Sequence, residues 1–266
     1  MKKALAVAAL ALAALAVRRH LAMRDALAAV PVELRRPFLP FFPASYSART
    51  LRLWRLPLRM SPGRGVAVTE RQVGDPALRV LVTTPANGES PCPAVLWIHG
   101  GGMILGSPSI ELPIADELGI DADRIAVASA GGGLSAAVTQ RSHDEGIPLR
   151  AQALVYPTID DRTVLRDDHG GRGRFVWTPG ANRFGWTSYL GGEPDPSAAP
   201  EYAVPARRTD LTGLPPAWIG VGDLDLFHDE DVAYAEKLKA CGVPCELVTV
   251  AGCITGRTAS RRRRRR

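Results

Sequence analysis

Mostly apolar runs alternate with helix-like segments through the second half of the chain. Residues 153–156, 217–221 and 246–250 form three short runs with the length and composition of buried strands. Two segments of helical character, 136–145 and 229–240, alternate with these runs. This alternation predicts an α/β domain: a mainly parallel sheet with helices on both faces.

The chain between residues 65 and 100 also has the pattern of strands. Residues 66–69 and 78–82 predict two strands joined by a turn at Gly74-Asp75-Pro76, and residues 93–98 form a continuous apolar run typical of a buried parallel strand. We therefore expect one largely parallel sheet. Its strands should lie near 78–83, 94–98, 152–156, 216–221 and 245–250.

The first residues have the pattern of a targeting segment. Lys2 and Lys3 precede the uninterrupted apolar run 4–17, and Arg18 follows it. A helix of this length rises only about 21 Å, which is short of the roughly 30 Å of a bilayer core. The alternative is an alanine-rich helix on the domain surface. We predict that residues 1–17 are a signal or membrane-anchor segment, so that the protein is membrane-associated or exported rather than cytoplasmic.

The net charge of +6 comes from one end of the chain. Seven arginines lie between residues 257 and 266, and without them 26 basic residues stand against 27 acidic ones. The charge therefore does not indicate a nucleic-acid-binding fold. We predict a proline-rich N-terminal lid at 18–64, a main domain at 65–250 and a disordered arginine-rich tail at 251–266.

The four cysteines do not have the spacing of zinc ligands. Cys241 and Cys245 flank a predicted turn, where either a disulfide or two reduced thiols is compatible with the spacing. We assign no metal, no cofactor and no required disulfide.

Two glycine-rich motifs carry candidate chemistry. His99-Gly100-Gly101-Gly102 follows a predicted strand, and such glycines leave backbone N–H groups free to form an oxyanion hole. Ser129 follows the short apolar run 125–127 and precedes three glycines. A serine on a strand-to-helix turn is typical of the G-x-S-x-G nucleophile turn, although Val127 replaces the first glycine here.

Together these motifs resemble the hormone-sensitive-lipase family of α/β-hydrolases, a group of carboxylesterases, over about residues 65–250. The segments 154–161 and 222–230 add to the resemblance. The resemblance implies hydrolysis of a small-molecule ester through an acyl-serine.

The resemblance also implies a role for each site residue. Ser129 would be the nucleophile, and the N–H groups of Gly100, Gly101 and Ala130 would stabilise the negative oxygen of the tetrahedral intermediate. Asp225 would orient the catalytic histidine. Asp223 and Asp229 are rivals for that role, and Asp225 matches the Gly-x-x-Asp pattern of the family.

The chain departs from the family pattern at the catalytic histidine. That histidine should lie in the loop after the last strand, but residues 251–266 contain none. A Gly-x-x-His-Gly-like stretch in another reading frame after residue 250 would identify the tail as a frameshift product. His169, in the segment that we expect to cover the site, is the remaining candidate. The others are interpreted as surface or structural residues: His20, His99, His143 and His228.

Spacing and side-chain shape give two further departures. Only 25 residues, 103–127, separate the two motifs, whereas one βαβ unit takes about 30, so a strand–helix unit is expected to be missing. Val127 is β-branched and stiff, so we expect it to crowd the turn and displace Ser129.

Three hypotheses follow. The chain is an active esterase, or it is a hydrolase-derived protein with weak or no activity, or its arginine tail binds a polyanion or a membrane. A frameshift near residue 250 would explain both the missing histidine and the tail. We favour an impaired hydrolase with no specific nucleic-acid partner.

Overall fold

The structure is a computed structural model. It describes residues 14, 17–18, 21, 23–37, 39–41, 46–55, 66–85, 94–107 and 126–256.

The N-terminal part contains two short helices and a hairpin. Its elements are α1 (Arg24–Ala29), α2 (Ala48–Trp54), β1 (Val66–Val73) and β2 (Leu78–Pro85). β1 and β2 pair antiparallel as a separate two-stranded sheet. The two strands and their turn are confirmed, but the prediction that 78–83 joins the main sheet is wrong. The four-residue turn brings β2 directly back along β1, and no described strand pairs with the other edge of either strand.

The main sheet of the described residues has four parallel strands. They lie in the order β3 (Ala126–Ala128), β4 (Gln152–Val155), β5 (Ala217–Gly222) and β6 (Cys245–Val250). The helices between them are α3 (Ala130–Asp144), α4 (Pro179–Leu190) and α5 (His228–Ala240). Each strand is thus the neighbour of the next strand in the chain, which confirms the predicted α/β fold with a mainly parallel sheet.

The core of this sheet lies between the strands and the flanking helices. Leu154 and Ile219, on the central strands, pack with Tyr234 and Leu238 of α5. All four side chains are almost fully buried. The apolar runs of the sequence therefore supply the core, as expected for parallel strands covered by helices.

The predicted strand at 94–98 is absent from the structure. Residues 94–100 have no regular secondary structure, and 47% of Leu96 is exposed. An apolar run favours burial, but a strand also needs a neighbouring backbone with which to pair. No described strand pairs with this run.

Several predictions lie outside the described residues. These are the targeting segment at 1–17 (apart from residues 14 and 17), most of the interval with the missing strand–helix unit, and the arginines at 257–266. Among the helices that the structure describes, none is long and apolar enough to cross a bilayer.

Candidate active site

Ser129 lies on a sharp turn between β3 and α3. Its N–H donates to the carbonyl of Val155 at 2.7 Å, so the strand ladder continues to the serine before the chain turns into the helix. Ser129 has φ 55° and ψ −128°, a region that side chains rarely occupy and that costs about 1–3 kcal/mol. A strained serine between a strand and a helix is the backbone arrangement of a nucleophile turn. It is present here although Val127 lies two positions earlier.

Three consecutive glycines let the first turn of α3 approach its surroundings closely. A Cβ on Gly131 would overlap the carbonyl of Ile98 and lie 2.7 Å from that of His99. A Cβ on Gly132 would lie 2.8 Å from Pro157, and one on Gly133 would overlap the carbonyl of Thr158. The glycines therefore bring the His-Gly-Gly-Gly loop against the residues that follow Ser129.

The His-Gly-Gly-Gly loop has the backbone freedom that the sequence predicts. Gly101 and Gly102 have φ values of 123° and 59°, and a Cβ on Gly102 would overlap the ring of Trp177. The Gly101 carbonyl accepts from Leu105 N at 2.8 Å, which closes the turn. Within the described parts of the chain, the N–H groups of Gly100, Gly101 and Ala130 make no backbone hydrogen bond. Donors of this kind can serve an oxyanion.

The loop after β5 is packed against the same region. Leu226 and Phe227 form one buried cluster with Ile104 of the glycine loop, Trp177 and Tyr46. Arg55, which follows α2, donates from Nε to the Ile104 carbonyl at 2.9 Å. The His-Gly-Gly-Gly loop and the loop after β5, which we call the acid loop, thus pack on one apolar cluster. Tyr46 of the N-terminal segment also belongs to this cluster.

Asp225 is the buried acid of this loop. Its side chain is fully buried, and Oδ1 accepts from Phe227 N at 3.0 Å. Burial raises the pKa of Asp225 to about 6, and the hydrogen bond from Phe227 offsets part of the rise. Among the described residues, Oδ2 has no hydrogen-bond partner. Asp225 therefore has one carboxylate oxygen available to orient another group.

The two rival aspartates are engaged elsewhere. Asp223 Oδ1 accepts from Gly252 N at 2.7 Å, which makes it an anchor for the loop after β6. Asp229 is half-exposed and pairs with Arg172 and with His228. The hydrogen bond from His228 is the largest cause that lowers the Asp229 pKa. Neither rival has the buried, partly unsatisfied carboxylate that Asp225 has.

No described histidine reaches the serine or Asp225 by a hydrogen bond. The ring Nδ1 of His99 lies 2.7 Å from the Gly100 carbonyl, and that of His228 lies 2.9 Å from Asp229 Oδ1. His143 lies against Gly213. His169 is partly buried, and burial, followed by the charge of Arg166, lowers its pKa. His20 lies outside the described residues.

Thr255 is the residue of the site that the sequence analysis missed. It follows β6 in the stretch Gly252-Cys253-Ile254-Thr255-Gly256, which has the Gly-x-x-X-Gly spacing expected around the histidine. Thr255 lies close enough to Asp225 to lower its pKa against the larger effect of burial. However, Thr255 Oγ1 and Asp225 Oδ2 are both buried without a partner in hydrogen-bond geometry. The spacing alone could have identified this position.

Two further buried acids, Glu230 and Asp231, lie in the first turn of α5. Glu230 accepts backbone hydrogen bonds from Ile159 at 2.8 Å and from Asp160 at 3.2 Å, and it also contacts the hydroxyl of Thr163. Burial raises its pKa to about 8. Thr158, next to Ile159, donates to the Ser129 carbonyl at 3.2 Å. Glu230 therefore links the first turn of α5 to residues 158–160, which contact the serine turn through Thr158.

Asp231 has no such compensation. Both of its carboxylate oxygens are buried without a hydrogen-bond partner among the described residues. Burial, together with the charges of Glu230 and Asp225, raises its pKa well above the usual value. No local sequence pattern had assigned a role to either acid.

A family model for the α/β-hydrolase fold matches residues 112–257. The chain belongs to the α/β-hydrolase family. The match includes Thr255 and the residues before the arginine run, so the family pattern continues beyond residue 250, where we had placed the end of the hydrolase domain.

Three similar proteins are esterases by name. Esterase LipI of Mycobacterium tuberculosis is 29% identical over 62% of this chain, which spans 65% of the length of that relative, less than two thirds of it. Carboxylesterase NlhH of the same species is 29% identical over 79% of this chain and 83% of its own length. The solved structure of a bacterial heroin esterase is 32% identical, with a TM-score of 0.61, and the match covers 72% of this chain and 77% of that one.

Proposed function

We propose that this α/β-hydrolase is a hydrolase of small-molecule carboxylic esters whose site is arranged for an acyl-Ser129 mechanism, and that this mechanism is impaired in the chain because no histidine base serves Ser129. The observation that carries the proposal is the strained serine turn, which the glycine loop contacts through Gly131. The esterase names of the similar proteins support the same substrate class.

The described residues can supply three of the four elements of ester hydrolysis. Ser129 supplies the hydroxyl, and the N–H groups of Gly100, Gly101 and Ala130 supply donors for the oxyanion. Asp225 supplies the orienting carboxylate. The missing element is a base between Asp225 and Ser129, and a serine hydroxyl without a base is a weak nucleophile.

The activity of the chain should therefore be low. When a triad member is lost, the oxyanion hole and substrate binding still give about a thousand- to ten-thousand-fold acceleration over water. We expect slow, saturable hydrolysis of p-nitrophenyl acetate that changes little in Ser129→Ala or Asp225→Asn. Fast turnover that Ser129→Ala abolishes would refute the impairment, and His169 would then be the first residue to replace.

We also propose that residues 4–17 tie the protein to a membrane or an export route. The apolar run with its flanking basic residues supports this assignment. The test is subcellular fractionation of the full-length chain beside a deletion of residues 1–19. Equal soluble fractions for the two proteins would refute the assignment.

A further inference from the structure

The loop after β6 and the loop after β5 meet over two buried polar atoms. Thr255 Oγ1 and Asp225 Oδ2 each lack a hydrogen-bond partner among the described residues, although both residues are buried and lie close to one another. Buried polar groups are nearly always paired. The short hydroxyl of Thr255 therefore lies beside Asp225 without satisfying Oδ2, which leaves this oxygen to a longer side chain at position 255.

The backbone holds position 255 without using the threonine side chain. Gly252 N donates to Asp223 Oδ1 at 2.7 Å, and Leu224 N donates to the Cys253 carbonyl at 3.1 Å. Ile254 is buried in a cluster with Val30, Leu39 and Phe175. A change of side chain at 255 therefore alters the chemistry of the site while these anchors stay in place.

We propose, on the basis of the proposed function, that position 255 is the base position of this site and that threonine at this position limits its esterase rate. A histidine there would complete the site with Ser129 and Asp225. Threonine cannot take this role, because its hydroxyl does not accept a proton near neutral pH.

An imidazole at position 255 has the two nitrogens that the reaction needs. One N–H would donate to Asp225 Oδ2, and the other nitrogen would take the proton of Ser129 as Oγ bonds to the ester carbonyl carbon. The imidazolium would then return this proton to the leaving alkoxide as the C–O bond breaks. Water, activated by the same nitrogen, would hydrolyse the acyl-serine and regenerate the hydroxyl.

The test compares the kinetics of p-nitrophenyl acetate hydrolysis in Thr255→His and the wild-type chain. We expect kcat to rise about a hundred- to ten-thousand-fold, the usual range for a positioned acid–base group. The hydrolysis rate of Thr255→His should increase with pH through an apparent pKa of about 6.5, the usual value for a histidine. Adding Ser129→Ala or Asp225→Asn to Thr255→His should remove the gain. Thr212→His places the same ring on an exposed loop and should leave the wild-type rate unchanged.

A second experiment avoids placing a larger side chain in the site. Thr255→Ala is assayed with added imidazole, and the rate of the Ser129→Ala, Thr255→Ala double variant is subtracted as background. We expect a saturable acceleration that depends on Ser129.

The outcomes separate this inference from the proposed function. The inference is overturned if folded Thr255→His keeps the slow saturable rate of the wild type and imidazole has no Ser129-dependent effect. The proposed function would survive that result. Absence of saturable hydrolysis from the wild type and every variant would overturn both.

Discussion

The serine side and the acid side of the candidate site differ in how completely they are built. On the serine side, Ser129 has a strained backbone, and each glycine after it lies where a Cβ would collide with a neighbour. On the acid side, Asp225, Asp231 and Thr255 carry buried polar atoms without partners among the described residues. In this candidate site, the turn at Ser129 is closely packed, whereas the acid side retains buried polar atoms without hydrogen-bond partners.

This difference indicates that backbone packing and side-chain hydrogen bonding depend on different residues of the candidate site. The serine turn depends on close packing between backbone segments, which requires no polar partner for the Ser129 side chain. The acid side depends on hydrogen bonds between side chains, and under our proposal the absence of one imidazole leaves the Asp225 carboxylate unsatisfied. Stability measurements on each side can therefore test the comparison independently of activity.

The largest expected loss of stability is on the serine side. Gly131→Ala adds a carbon that overlaps the backbone carbonyl of Ile98, and a backbone segment cannot rotate away as a side chain can. We expect the free energy of unfolding to fall by about 3 kcal/mol, the upper end of the range for overpacking. Urea unfolding measures this change. Gly192→Ala, where an added Cβ meets no atom within 4 Å, is the control, and equal losses in the two variants would contradict the close packing of the turn.

The largest expected gain is on the acid side. Asp231→Ala removes a buried carboxyl without hydrogen bonds and leaves a good helix former in α5. We expect a gain of about 2 kcal/mol at pH 8, because a buried polar group without a partner typically costs about 1–3 kcal/mol. The gain should be smaller at pH 5, where the carboxyl carries less charge. Glu236→Ala, an exposed acid on the same helix, is the control, and a destabilised Asp231→Ala would mean that Asp231 has an essential partner.

A pH series tests Glu230, whose folded pKa of about 8 lies above the usual value for a glutamate of about 4.3. The folded state therefore binds more protons than the unfolded state between these values, so its stability falls as pH rises from about 4 to 8. Glu230→Gln can still accept from Ile159 and Asp160 but does not titrate. We expect thermal unfolding of this variant to depend less on pH than that of the wild type or of Glu236→Gln. A slope as steep as that of the wild type would refute the raised pKa.

The smallest expected effect separates the strain at Ser129 from its hydroxyl. Ser129→Gly and Ser129→Ala both remove the hydroxyl, but only alanine has a Cβ at φ 55°. We expect the glycine variant to be about 1 kcal/mol more stable than the alanine variant, since the relief of strain exceeds the entropic cost of glycine. Chemical denaturation of the pair measures the difference. A more stable alanine variant would show that the turn is not strained.

Short motifs predicted much of the site, because each lies within a few consecutive residues. The His-Gly-Gly-Gly loop, Ser129 and Asp225 were identified from local patterns, and the structure places the two loops on one apolar cluster and the glycine loop against the serine turn. Glu230 and Asp231 were not identified as buried acids. Glu230 is buried in contact with a segment about 70 residues earlier, which no local pattern contains.

The strand predictions show the same difference between what local patterns contain and what depends on distant segments. Composition predicted β4, β5 and β6 closely, because each contains a short, mostly apolar run bounded by turn residues. It also predicted strands at 78–83 and 94–98 in the same sheet, and the structure contradicts both assignments. Pairing depends on which backbone lies alongside, and that choice is made between distant segments.

By itself, the sequence determined the fold class, the glycine turns and the absence of a histidine after the last strand, because these depend on residue type and local spacing. Only the tertiary structure decided that Asp225 rather than Asp223 or Asp229 is the buried acid, and that Thr255 lies beside it. Burial and the loss of hydrogen-bond partners arise when separate loops pack together. Their energetic consequences therefore appear only once the chain has folded.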